Sequence, residues 1–124
     1  MKTTQANLPA HLSRGAEAEV LAEQFLVKQG MRILQRNFRV KGGEIDLICR
    51  DGNMVVFVEV RLRANSDFGG AAASITSHKQ RRLIVAARYW LMVNGECPCR
   101  FDCVLLSQLD MASIEWLRGA FSAD

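Results

Sequence analysis

Apolar residues recur at two different spacings along the chain, and the change of spacing separates helices from strands. Residues 13–29 carry apolar side chains at helical intervals, namely Ala18, Leu21, Ala22, Phe25 and Leu26. Residues 77–93 repeat this pattern with Leu83, Ala87, Trp90 and Leu91. Such i, i+3, i+4 spacing places an apolar stripe along one side of an amphipathic helix. We therefore predict two helices, each with one side facing a core.

Shorter apolar runs that are rich in β-branched residues predict the strands. These runs cover residues 31–40, 43–50, 54–62, 99–106 and 114–117, and the first is interrupted near residues 35–37. The turn sequence Asp51-Gly52-Asn53 joins the second and third runs into a hairpin. The order α-β-β-β-α-β-β predicts an α/β fold, in which a mixed sheet of about four or five strands is flanked by helices.

Length and composition agree with a single domain. The chain has 124 residues, of which 49% are hydrophobic and 23% charged, the balance of an ordinary globular domain. We assign residues 13–121 to one domain and residues 1–12 to a flexible N-terminal segment. Residues 1–13 lack the apolar core of a secretory signal, and no apolar run approaches the roughly 20 residues of a membrane helix. The sequence therefore predicts a cytoplasmic protein that does not enter a membrane.

The hairpin carries acidic residues within apolar strands. Glu44 and Asp46 lie on its first strand, and Glu59 lies on its second. A buried carboxylate persists where it is paired, hydrogen-bonded or bound to a metal. If Asp51 and Gly52 form a two-residue loop, Asp46 and Glu59 are diagonal neighbours on one face, roughly 7–8 Å apart at Cα. A three-residue loop would move Asp46 to the other face, unless a bulge restored the first arrangement.

Carboxylates with cations nearby suit a divalent metal that holds a phosphate. Mg²⁺ prefers oxygen ligands and often binds through one or two carboxylates and several waters. A cation beside the metal, either Arg61 or Lys79, would offset negative charge that develops during hydrolysis. The sequence contains no P-loop, GxSxG, HExxH or dinucleotide-binding motif. The net charge of +3 permits a nucleic-acid partner without requiring one.

Two features of the helices have more than one interpretation. Glu17 is either a first-turn acid favoured by the helix dipole or a third carboxylate beside the hairpin, and its spacing favours the first interpretation. We expect Glu19 and Glu23 to point elsewhere. The basic start of the second helix, which includes Lys79 and Arg82, is either a solvated face or a phosphate-binding rim.

The cysteines permit a metal interpretation that is the less favoured one. Cys97, Cys99 and Cys103 lie close together in the sequence, and Cys49 is remote. Their spacing is not the paired CxxC arrangement of structural zinc sites. We expect reduced thiols that pack as small apolar side chains, because disulfides are uncommon in chains without an export signal.

The spacing of the acidic residues resembles that of a known superfamily. Asp46 is followed thirteen residues later by Glu59-Val60-Arg61, and a helix containing Glu17 precedes both. This order is similar to that of the PD-(D/E)xK restriction-endonuclease-like superfamily. More narrowly, it resembles the YraN-type bacterial family, whose fold is related to that of Holliday-junction resolvases. The similarity covers about residues 14–121 and is carried by RGAE (14–17), GEIDLI (43–48), VFVEV (56–60), Arg63, Phe68-Gly69, Lys79, Arg82 and Arg100-Phe101-Asp102.

The resemblance implies a nuclease that acts on DNA with Mg²⁺ or Mn²⁺, and branched or recombination intermediates are one candidate substrate class. It implies that Asp46 and Glu59 bind the metal and that Glu17 completes the cluster. Glu44 would support these ligands. The implied cations are Arg61 and Lys79 at the reacting phosphate, with Arg63, Lys79 and Arg82 in contact with the nucleic acid.

Arg61 is the main departure from the superfamily pattern, because it occupies the position of the motif lysine. Arginine stays protonated and cannot act as a general base, although it can hold a phosphate. Either Lys79 takes the role of that lysine, or the metal alone activates water, or hydrolysis is lost. The last case leads to the alternative function, a non-catalytic nucleic-acid-binding protein on the same fold. A homodimer would suit a branched substrate, although the sequence does not require one.

Overall fold

Two helices cover opposite faces of a five-stranded mixed sheet in the computed structural model, which describes residues 12–63 and 75–123. The elements are α1 (Arg14–Lys28), β1 (Arg32–Val40), β2 (Gly43–Asp51), β3 (Met54–Leu62), α2 (Ser77–Asn94), β4 (Cys99–Leu106), a 3₁₀ turn (Met111–Ser113) and β5 (Ile114–Phe121). The predicted α/β fold and the predicted order of elements are therefore confirmed. The predictions for residues 1–11 and for Phe68-Gly69 lie outside the described residues, and the single-domain assignment stays a prediction.

The strands lie in the order β1-β2-β3-β4-β5. Neighbouring strands are antiparallel except for β3 and β4, which are parallel. The parallel pair requires a long connection, and α2 lies within it. Strand β5 continues to Phe121, four residues beyond the predicted end at Leu117. The pairing of β5 with β4 is irregular near Gly119, which adopts a φ of +60°. The strand continues past this point because Gly119 donates its N–H to Asp102 Oδ1 at 2.9 Å.

The two helices bury the stripes that the sequence predicts. On one face, α1 packs with alternate residues of β3 through Ala18, Leu21, Ala22 and Leu26. On the other face, α2 packs on β2 and β3 through Leu83, Ala86, Ala87, Trp90 and Leu91. Each helix starts at a hydroxyl cap, since Ser13 Oγ accepts from Ala16 N and Thr76 Oγ1 accepts from Lys79 N, both at 3.1 Å. Neither α1 nor α2 has both the length and the apolar character that crossing a membrane requires.

The loop of the central hairpin is Gly52-Asn53, which is neither the two-residue loop Asp51-Gly52 nor the three-residue loop that the sequence left open. Asp51 instead pairs with Met54 as the last rung of the ladder. Gly52 adopts a φ of +62°, a conformation that glycine reaches without strain, so the tight turn forms one residue later. The register differs by two residues from that of an Asp51-Gly52 loop. A shift of two leaves the paired residues, 47–51 and 54–58, on the faces expected for that loop.

Strand β2 passes so close to α2 at Gly43 that no side chain fits there. A Cβ at this position would overlap the carbonyl oxygen of Arg82 and lie 2.8 Å from the amide nitrogen of Ala86. We expect Gly43→Ala to lower the free energy of unfolding by about 1–3 kcal/mol, because rigid backbone has to move. The control is Gly15→Ala in α1, where a Cβ meets nothing within 4 Å. Urea unfolding that gives equal stability for both variants would contradict the close packing.

Candidate functional site

A cavity of about 330 Å³ opens where β2 and β3 meet the first turns of both helices. Its polar lining consists of four acids and two cations: Glu19, Glu44, Asp46, Glu59, Arg61 and Lys79. Five of these six residues are predicted site residues, and Glu19 is the addition. The fold thus brings residues from α1, β2, β3 and α2 to one place.

Asp46 reaches this cavity because β2 is irregular at its position. Ile45 and Ile48 lie in the core cluster under α2, whereas Leu47 lies in the cluster under α1. Residues three apart do not share a face of a regular strand, so the alternation is interrupted between Ile45 and Leu47. Pairing with β3 also extends only as far as Leu47. In the resulting gap, Asp46 Oδ2 accepts a hydrogen bond of 2.8 Å from the backbone N–H of Val60.

Glu59 is buried beside Asp46, with only 6% of its surface exposed. Its one described ion pair is with Lys79, whose Nζ lies 3.5 Å from Glu59 Oε2. Burial, followed by the charge of Asp46, raises the pKa of Glu59 from 4.5 to about 7, although Lys79 and Arg61 act in the opposite direction. The two cations therefore do not compensate the acids fully.

Glu19 of α1 faces the same acids. Burial and the neighbouring charge of Asp46 raise the pKa of Glu19 to about 7, and a hydrogen bond to Asp46 adds to the effect. Burial also raises the pKa of Asp46, while the N–H of Val60 and the bond from Glu19 lower it. When Glu19 is protonated, its carboxyl group would be the donor and Asp46 the acceptor. A proton held between two acids is what an excess of local negative charge produces.

The acid that α1 contributes is therefore Glu19, and the expectation that Glu19 points elsewhere was wrong. Glu17, the predicted third ligand, is not among the described residues that line the cavity. At roughly 100° per residue, Glu17 and Glu19 flank Ala18 on opposite sides of the buried stripe. The spacing of apolar residues cannot choose between them. The choice depends on which side of α1 lies over Asp46, and the sequence of the helix contains no pattern that indicates that side.

The carboxylate oxygens of these acids are suitable ligands for a hard divalent cation, although they do not form a complete coordination site in advance. No three His, Cys, Asp or Glu side chains in residues 12–63 and 75–123 are grouped closely enough to hold one ion directly. Mg²⁺ usually keeps several waters and takes only one or two carboxylates, which Asp46 and Glu59 could supply with Glu19. Burial, followed by the charge of Asp46, raises the pKa of both Glu19 and Glu59, and a bound cation would stabilise their ionised forms.

The remaining predicted cations lie around the cavity rather than inside it. Arg82 Nη2 lies 3.4 Å from Glu44 Oε1, and both side chains are exposed enough for solvent to screen the pair. Arg82 lines a small pocket that adjoins Lys79. Arg63, whose backbone N–H donates to Leu106 O at 2.8 Å, does not line the cavity among the described residues.

The cysteines behave as small apolar side chains. Cys49 and Cys103 are fully buried free thiols. Burial raises the pKa of each to about 12, which disfavours the thiolate that binds metal. Cys99 and Cys103 are four residues apart on β4, roughly 13 Å in an extended strand, which is too far to share one ion. The zinc interpretation therefore gains no support from the described residues.

The raised pKa of Glu59 predicts that the stability of the protein depends on pH. The folded-state pKa of Glu59, about 7, exceeds the ordinary value of 4.5. The stability that protonated Glu59 contributes to the fold is therefore fully present below pH 4.5 and is lost as the pH rises through 7. We expect the metal-free protein to lose about 2 kcal/mol of unfolding free energy between pH 5.5 and pH 8 from this group. Urea unfolding in EDTA should show this loss in the wild type and a smaller one in Glu59→Gln. Parallel pH profiles would contradict it.

The comparisons with known proteins place this site within a family. Residues 18–106 match the profile of the Uncharacterised protein family UPF0102, a range that includes Glu19, Asp46, Glu59 and Lys79. A UPF0102 protein of Dechloromonas aromatica is 56% identical over 112 residues, which are 90% of this chain and 91% of that protein. One from Methylobacillus flagellatus is 51% identical over 109 residues, 88% and 96% of the two chains. One from Cupriavidus taiwanensis is 51% identical over 126 residues, 99% and 92% of the two chains. The chain therefore belongs to the UPF0102 family, which confirms the resemblance to YraN-type proteins.

Proposed function

We propose that this protein is a metal-dependent nuclease that hydrolyses phosphodiester bonds in DNA. The observation that carries the proposal is the convergence of Glu19, Asp46 and Glu59 on one cavity that also contains Arg61 and Lys79. A phosphodiester is an anion, and three carboxylates would repel it. A divalent cation between the acids and the phosphate would turn this repulsion into binding. The cavity is thus better suited to a metal-bound phosphate than to a free anion.

The acids have distinct roles in this proposal. Asp46 and Glu59 would hold the metal, and Glu19 would complete the cluster. When bound, Mg²⁺ would lower the pKa of a coordinated water and neutralise charge on the phosphate. The Val60 N–H fixes the orientation of Asp46, so this carboxylate needs little reorganisation on binding. Cation binding would favour the ionised form of Glu19, whose pKa is raised to about 7, and so would release a proton.

Lys79 is the better candidate for the role of the superfamily's motif lysine. Its ammonium group lies 3.5 Å from Glu59 Oε2, although it comes from α2 rather than from β3. An ammonium group at this place can orient a water or a phosphate oxygen next to Glu59. Arg61 also lines the cavity, and its forked guanidinium suits two oxygens of one phosphate. We assign Arg61 to phosphate binding and Lys79 to orientation of the attacking water.

The test is cleavage of labelled DNA with Mg²⁺ or Mn²⁺. Purified wild type, Asp46→Ala and the control Glu115→Gln are incubated with single-stranded, duplex and branched substrates. Glu115 lies on β5 and is not among the described residues that line the cavity. We expect cleavage by the wild type and by Glu115→Gln, with loss in Asp46→Ala and in EDTA. Equal cleavage by all three proteins, once a contaminating nuclease has been excluded, would reject the assignment.

The second candidate is a non-catalytic nucleic-acid-binding protein, and Arg61 at the lysine position is the observation that favours it. This function predicts binding of DNA that weakens steeply with salt and persists without metal. Isothermal titration with Mn²⁺ separates the two candidates. Binding of Mn²⁺ by the wild type but not by Asp46→Ala supports the nuclease, whereas DNA binding without any metal binding supports the second candidate.

A further inference from the structure

The C-terminal half of α2 is apolar on both its inner and its outer side. Its inner side packs on the sheet through Leu83, Ala86, Ala87, Trp90 and Leu91. On its outer side, Tyr89 is 45% exposed, Met92 70% and Val93 78%, and the half-buried Val85 lies one turn before Tyr89. A helix that is hydrophobic all round is usually covered on both sides. A contiguous exposed stripe of this kind marks an interaction surface.

The charges around this stripe are arranged to match a second copy of the same helix. Arg81 and Arg88 lie on the outer side of α2, at i−4 and i+3 from Val85. Glu96 is exposed two residues beyond the end of the helix. Among the described residues, none of these three charges has an ion-pair partner. The stripe is therefore basic at its start and acidic just past its end.

We propose that two copies of this chain pair through antiparallel α2 helices. In one register, Val85 lies opposite Met92 of the second copy and Arg88 lies opposite its Tyr89. Glu96 follows the end of α2 by two residues, so the same register brings it near Arg81 of the second copy. This register buries apolar side chains against each other, stacks a guanidinium on a phenol ring and closes an ion pair at each end. A parallel arrangement would instead set Arg81 against Arg81 and Arg88 against Arg88.

This pairing is isologous, because each copy presents the same surface to the other. It leaves the cavity open, since Lys79 lies at the start of α2 and the centre of the pairing lies between Arg88 and Tyr89. At about 1.5 Å per residue, the two Lys79 positions are roughly 28 Å apart along the helix direction. The proposal does not depend on whether the cavity hydrolyses DNA.

The first experiment measures the mass of the full chain in solution. Sedimentation equilibrium over a concentration series should give a dimer for the wild type. Met92→Glu should raise the dimer dissociation constant more than about 10-fold, because it places a charge in an apolar contact. The control is Val27→Glu on α1, where Val27 is 50% exposed and far from α2 in the fold. A wild type that remains monomeric at high concentration, or a Met92→Glu protein that still dimerises as the wild type does, would overturn the proposal.

The second experiment tests the register by exchange of charges. Arg81→Glu and Glu96→Arg should each weaken the dimer by several-fold, and the double variant should recover most of the loss. Within one chain, Arg81 and the end of α2 at Asn94 are 13 residues apart, roughly 20 Å along the helix axis, so recovery has to come from contact between copies. Circular dichroism of each variant verifies the fold. Losses that simply add in the double variant would exclude this register.

Discussion

Glu19→Gln is expected to reduce metal-dependent DNA cleavage at least about 100-fold, whereas Glu17→Gln should leave it within about 2-fold of the wild type. The reason is geometric. Glu19 lines the cavity together with Asp46, while Glu17 is not among the described lining residues. Both substitutions remove one carboxylate from the same helix, so the change in net charge is matched. Initial rates at saturating Mg²⁺ measure the difference.

Affinity for Mn²⁺ provides an independent measurement on the same pair of variants. We expect Glu19→Gln to weaken Mn²⁺ binding and to reduce the proton release that accompanies it, since Glu59 is then the remaining acid whose pKa is raised to about 7. Titration in buffers of different ionisation enthalpy counts the released protons. If Glu17→Gln lost cleavage and metal binding while Glu19→Gln retained them, the orientation of α1 over β2 described above would be wrong.

Asp102→Ala is expected to lower the free energy of unfolding by about 3–5 kcal/mol. Asp102 is fully buried and accepts hydrogen bonds from three residues. Its oxygens bind Arg100 Nε and Nη2 at 2.9 and 3.2 Å, Trp116 Nε1 at 2.9 Å and Gly119 N at 2.9 Å. Truncation would leave a largely buried guanidinium and two N–H groups without their acceptor. Urea unfolding measures the loss.

The matched control is Asp51→Ala, because Asp51 binds the same arginine from the other side. Asp51 Oδ2 lies 3.1 Å from Arg100 Nη2, but the Asp51 side chain is 37% exposed. We expect this variant to lose less than about 1 kcal/mol, since water can replace the exposed partner. A loss in Asp102→Ala no larger than that in Asp51→Ala would mean that Asp102 does not organise β4 and β5.

The order of elements was predictable because each element follows from local periodicity. The stripes of α1 and α2 appear at helical spacing, and the strands appear as β-branched runs between turn residues. The proximity of Asp46 and Glu59 could also be predicted, since a short turn joins the two strands that carry them. Register errors of two residues leave this result unchanged. Arg61 and Lys79 were assigned to the same site from their place on those elements.

Other features depended on contacts between residues far apart in the sequence. The buried role of Asp102 is an example, because its partners Trp116 and Gly119 lie on a strand whose end the sequence analysis placed too early. The close approach of β2 to α2 at Gly43 also depends on such contacts, because it exists only once α2 has packed on the sheet. Neither feature has a local pattern that marks it.

The sequence by itself determined the elements, their order and the presence of two strand acids able to meet beside a basic helix. Only the tertiary structure decided that Glu19 rather than Glu17 joins them. The physical reason is that periodicity specifies which side of a helix is apolar, while the two polar positions beside that stripe are equivalent in this respect. The rotation of α1 against β2 and β3 breaks that equivalence, and it is set by packing across the whole sheet.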